Sequence, residues 1–161
     1  MTRHYQSKAE RQQQHQAEHR HISERLAYAG AIPFIALAGL LYLPADMLPG
    51  NQEQWVSALM TYSLIVVNFL AGSLWGRAID NMERNHRGNG QLFAVLISLL
   101  SWMTIMLPPQ LGFVLLACLL VSLRLHEMYG LSSDSAVKWY SKARSRLTVV
   151  ASVVLCLAAA S

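Results

Sequence analysis

Asn68 stands in the middle of an apolar run and opens the stretch NFLAGSLWGRAID, which ends at Asp80. A primary amide in hydrocarbon must find a partner, because an unsatisfied polar group there costs on the order of several kcal/mol. Such a residue either joins helices or holds a substrate or ion at mid-depth. Asn68, Gly72, Gly76 and Asp80 recur every four residues, so they share one stripe of a helix. Gly72 and Gly76 form a GxxxG pair, which lets a neighbouring backbone approach. The expectation is that Gly72 and Gly76 sit against another helix and that Asn68 bonds to Ser98 or Ser101. The alternative is a midplane site around Asn68, to which Pro33 would add by kinking its helix and freeing the Ala29 carbonyl.

Other residues with chemical potential do not assemble into a site. His15 and His19 are four apart, with His4, Glu18 and His21 nearby, but this polar segment has little else to fix metal ligands. His126-Glu127 begins like a zinc-protease motif, yet position 130 is Gly where the second His belongs. No GxGxxG, phosphate-binding Gly-rich loop or GxSxG occurs, and no nucleophile is spaced with a base. Cys118 and Cys156 lie in apolar runs and read as small reduced hydrophobes. The chain is therefore expected to be no enzyme, with neither catalytic residues, metal nor cofactor.

The elements that carry Asn68 and its neighbours are apolar blocks. Of the 161 residues 53% are hydrophobic and only 14% charged, against about 25% charged in soluble domains. Residues 1–25 form a polar tail, and the domain 26–161 follows. Its blocks are 26–43, 55–79, 92–107, 111–125 and 147–160. The first two meet the ~20 residues a membrane helix needs. All thirteen Lys and Arg lie before block one, from Arg77 at the end of block two to block three, or from Arg124 at the end of block four to block five. If each block crosses, those places share one side, which the positive-inside rule makes cytoplasmic. A re-entrant hairpin of blocks three and four would give the same charge pattern. At 1.5 Å per residue, however, block three reaches about 24 Å, enough to cross with slight thinning. The expected fold is an all-α membrane protein, a five-helix transmembrane bundle with its N-terminus cytoplasmic and its C-terminus periplasmic.

Trp75 and Arg77 suit the headgroup level at the end of block two. The segment 136–146, AVKWYSKARSR, is expected to be an interfacial amphipathic helix anchored by Trp139, Tyr140, Lys142, Arg144 and Arg146. Because the basic patches flank apolar blocks, their expected partners are anionic headgroups of the bilayer, not nucleic acid. The long polar lead argues against a secretory signal, and its Glu10, Glu18 and Glu24 against a mitochondrial transit peptide. A multi-pass protein of the bacterial inner membrane is expected.

Several short motifs, taken in order, resemble a family. They are Ala27-Tyr28-Ala29-Gly30-Ala31-Ile32-Pro33, Tyr62, Phe69-Leu70-Ala71-Gly72, Trp75-Gly76, Ser98, Ser101-Trp102, Leu107-Pro108, Trp139-Tyr140, Arg144 and Leu147-Thr148. From about residue 26 onward the chain resembles an uncharacterised family of small bacterial inner-membrane proteins related to mitochondrial transmembrane protein 69. Ala71 departs from a second Gly, and Ala143 from a Leu, in that pattern. The resemblance implies a small multi-span membrane protein and supplies no mechanism. Function is thus expected to be binding, assembly or stabilisation of other membrane components, with a membrane-protein partner or a homo-oligomer. The alternative is a small oligomeric transporter or channel using Asn68.

Overall fold

The computed structural model describes residues 28–44, 47, 49–80, 89–130 and 135–160. The polar tail and its histidines lie outside the described residues. Those described form five α-helices, a short 3-10 turn and no strand. We label the helices α1 (Ile32–Leu41), α2 (Gln52–Asp80), α3 (Asn89–Met103), α4 (Pro109–Gly130) and α5 (Ser135–Ala160), with the 3-10 turn at Thr104–Met106.

Local chemistry explains most of the boundaries. Pro33 lies in the first turn of α1, where its missing N–H has no helical partner to lose. The expected break lies just ahead of it: residues 28–29 are helical, and a turn at 30–31, in which the Ala31 amide donates to the Tyr28 carbonyl at 3.0 Å, leads into α1. The carbonyl put to use is that of Gly30, not Ala29. It accepts from the Tyr62 hydroxyl at 2.7 Å and ties α1 to α2. Gly50, at φ 94°, adopts a left-handed backbone conformation just ahead of α2. The Trp55 indole donates to the Pro49 carbonyl at 3.0 Å and fixes the entry to that helix. Pro109 opens α4 directly after the 3-10 turn, so α3 and α4 run back along one another.

Helices α1, α2, α4 and α5 close a ring, each packing on the next, and α3 packs outside it against α2 and α4. α2 and α5 stand diagonally across α4 and do not pack on each other. The core contains Phe34, Leu59, Val67, Phe113, Leu116, Leu120, Leu123 and Leu155. Near the far end of the bundle the Tyr42 hydroxyl donates to the Leu157 carbonyl at 2.7 Å, joining α1 to α5.

The outside is apolar as well. Ile35, Ile65, Phe69, Leu92, Leu99, Trp102, Val149 and Val153 are all exposed. Helices with apolar residues on every side belong in a large core or in lipid. Two helices are candidate membrane spans by length and composition. They are Gln52–Ile79, with mean hydropathy 1.6, and Pro109–Tyr129, with mean hydropathy 1.8. Ile32–Leu41 and Gly90–Met106 are shorter apolar helices. One boundary differs from expectation: 136–146 is not a separate interfacial helix but the first half of α5, continuous with 147–160.

Candidate functional site

The Asn68 amide nitrogen donates to Ser101 Oγ and to the Leu64 carbonyl, both at 2.9 Å. Ser101 is fully buried, and its hydroxyl donates to the Ser98 carbonyl at 2.8 Å. The amide therefore joins α2 to α3, a contact worth about 0.6 kcal/mol in membrane proteins on average.

Among the described residues, Gly72 and Gly76 meet no other helix. A Cβ added at either would find nothing within 4 Å. The residues of α2 that pack inward are Val67, Ala71 and Leu74, one step round the helix. Ala71 is the small residue at the real contact. Spacing identifies a stripe, but the neighbours decide which of two adjacent stripes is covered. At 100° per residue, Ser57, Thr61, Ile65, Asn68, Gly72, Trp75, Gly76 and Ile79 share one side of α2. All are exposed. Toward α1 the same face forms an open groove of about 720 Å³, bordered by Leu37, Glu53, Ser57, Thr61 and Ile65.

A second constellation lies at the opposite end of α2 from that groove. Glu127 of α4 accepts from Arg77 of α2 through Oε1. Its Oε2 lies 2.6 Å from Arg144 Nε of α5 and 3.6 Å from Arg124 Nη1 of its own helix. Arg124 is held from behind. Its Nε donates to Ser145 Oγ at 2.9 Å, and Nη2 donates to the Ser141 carbonyl at 3.0 Å and to Ser141 Oγ at 2.6 Å. The side chains of Glu127, Arg124 and Arg144 are only 3%, 8% and 9% exposed, against 42% for Arg77. The cluster is buried on one side and open at Arg77. Beside it His126 stacks on Phe93 of α3 at 4.4 Å, and its buried Nδ1 has no hydrogen-bond partner among the described residues.

This cluster takes in two of the arginines expected as interfacial anchors. Arg144 is buried and ion-paired with Glu127. Arg77 reaches across to Glu127, although it remains partly exposed. Lys142 and Arg146 are exposed on the other side of α5, and Trp75 is exposed on α2. Trp139 and Tyr140 fall in α5, with side chains outside the described residues. Sequence reasoning took Glu127 only as part of an incomplete zinc motif. The available signal was its spacing: Arg124 and Glu127 are three apart on a helix, at the end of an apolar run. Among the described residues no three His, Cys, Asp or Glu come together as a metal site.

The model of one protein family, described as a protein of unknown function (DUF3429), matches residues 20–160. The chain belongs to the DUF3429 family. The match spans all five helices and both constellations. No curated protein and no solved structure matches the chain. What this DUF3429 member offers chemically is therefore read from its own geometry: an open apolar helix face with small residues, and a guanidinium cluster around one carboxylate.

Proposed function

We propose that the chain is a non-enzymatic, multi-pass protein of a bacterial inner membrane that docks a transmembrane helix of another membrane protein on the outward face of α2, as an assembly or stabilising factor. The observation that carries the reading is the run of exposed residues along one face of α2 from Ser57 to Ile79, on which no described residue covers Gly72 or Gly76. Small residues let a partner backbone come close, which is how helices associate where lipid removes the hydrophobic drive. Asn68 is already bonded to Ser101, so the partner need not supply a polar group. The transporter reading is less favoured, because Asn68 faces outward and its amide nitrogen is occupied.

The decisive test is a photo-crosslinker at Ile65 in the native membrane, with the crosslinked residue of the partner mapped. A single stoichiometric partner, captured at least tenfold less by a chain also carrying Gly72→Leu, is the expected result. Capture unchanged by Gly72→Leu overturns the docking face. Crosslinks only to second copies, together with measurable solute flux, return the transporter reading. The proposal also includes five crossings with the three basic regions in the cytoplasm. A reporter after Ser161 is then expected outside and one within 80–91 inside. A C-terminal reporter read in the cytoplasm excludes that topology.

A further inference from the structure

We infer that the helix docking on α2 belongs to a different protein and donates a side-chain hydrogen bond to Asn68 Oδ1, with a Lys or Arg set beside Glu53. The inference rests on the docking reading and adds the chemistry of the partner. A primary amide has two N–H donors and one carbonyl oxygen. Both donors of Asn68 are used inside the chain, on the Leu64 carbonyl and on Ser101 Oγ. The same network fixes which amide atom is which. A backbone carbonyl only accepts, and the Ser101 hydroxyl already donates to the Ser98 carbonyl, so both contacts call for the nitrogen. That leaves Oδ1, which has no hydrogen-bond partner among the described residues. Asn68 is exposed on the same side of α2 as Gly72, so the open acceptor lies on the face where a neighbouring backbone comes closest. Lipid tails have no donor to give it, and a docked helix that carries one does. Docking on the glycines needs no polar group; the oxygen selects among the helices able to dock.

A second copy does not supply that donor. Two copies in one membrane share an orientation, so a two-fold contact through this face sets Asn68 beside Asn68 at equal depth. Each then offers an acceptor to an acceptor, since neither has an N–H left. The N-terminal end of α2 repeats the conflict. Glu53 is the only charged residue of α2 before Arg77. It is exposed and has no ion pair among the described residues. With Ser57, Thr61 and Ile65 it borders the groove toward α1. Residues 44–54 hold Asp46 and Glu53 but no Lys or Arg. Two copies would meet acid to acid there, whereas a basic side chain complements this end.

The test is photo-crosslinking from Ile65 of the full chain in its native membrane, with the captured residue sequenced. The expected partner is another protein whose captured helix carries Ser, Thr, Asn or Gln within about one turn of the depth of Asn68. It also carries Lys or Arg about 18 Å away toward Glu53, the rise of the residues from Ile65 to Glu53. Asn68→Leu should lower capture about threefold, the average effect of one polar contact between membrane helices. Glu53→Gln should lower it about twofold and Glu53→Lys further, with recovery when the partner's basic residue is exchanged for Glu. Thermal melts of each variant separate lost capture from lost folding. The partner mapped with Asn68 in place needs no variant, so its sequence decides even where Asn68→Leu folds poorly. Capture lowered by Gly72→Leu but unchanged by Asn68→Leu overturns the inference and leaves the docking face standing. A mapped partner with no donor at that depth does the same, as do crosslinks to second copies. Capture unchanged by Glu53→Lys removes the basic residue from the partner's description. Capture unchanged by Gly72→Leu removes the docking face, and the inference falls with it.

Discussion

Glu127→Gln is expected to destabilise the chain by about 3–5 kcal/mol, the cost of breaking a buried ion pair by removing one partner. The substitution keeps the volume of the side chain and removes the counter-charge that Arg124 and Arg144 share. Both guanidiniums are more than nine-tenths buried, so water cannot replace the lost carboxylate. Arg77→Gln should be much milder, below about 1 kcal/mol, because a partly exposed pair is already screened. Replacing Glu127 and Arg124 together by Leu and Met should recover part of the loss, since two buried charges vanish at once. Denaturant unfolding in micelles, followed by helix content, measures all three. A Glu127→Gln variant within about 1 kcal/mol of the wild type would mean that the cluster is more hydrated than its burial indicates.

The second large effect contrasts two glycines. Gly112→Leu should cost about 1–3 kcal/mol through overpacking. A Cβ at Gly112 would lie 2.6 Å from Met60 Cε and 3.3 Å from the Thr104 carbonyl oxygen. The Met60 methyl can swing away, but the carbonyl belongs to the 3-10 turn and cannot. Gly72→Leu in the same isolated chain should be neutral or slightly stabilising. A Cβ added there would meet no described neighbour within 4 Å, and Leu is the better helix former by up to about 1 kcal/mol. Unfolding curves of the two variants side by side decide the matter. If Gly72→Leu proves the more damaging in the purified monomer, the outward assignment of this stripe is wrong.

The contrast also shows where reading from sequence stops. The GxxxG spacing at Gly72 and Gly76 was visible and drew attention to the right face of α2, but for an intramolecular contact it selected the wrong residues. Gly112 carried no motif at all. Its tight site exists only because the turn after α3 brings the Thr104 carbonyl over the first turn of α4. The bond from Asn68 to Ser101 was legible because an amide in an apolar run must find a donor or acceptor at its own depth, and few were available.

Composition and periodicity determined that the chain is helical and apolar, where the blocks lie, and that Asn68 must be satisfied by protein. These follow from local physics: the 3.6-residue repeat and the cost of an unpaired polar group. The tertiary structure decided that Arg77, Arg124 and Arg144 converge on Glu127, although they are spread over 67 positions from Arg77 to Arg144. It also decided that α2 and α5 stand apart with the cluster between them. No local pattern encodes either result, because each depends on the order in which helices close the ring. Charges that look alike along the sequence become different residues once packing buries Arg144 and leaves Arg146 exposed.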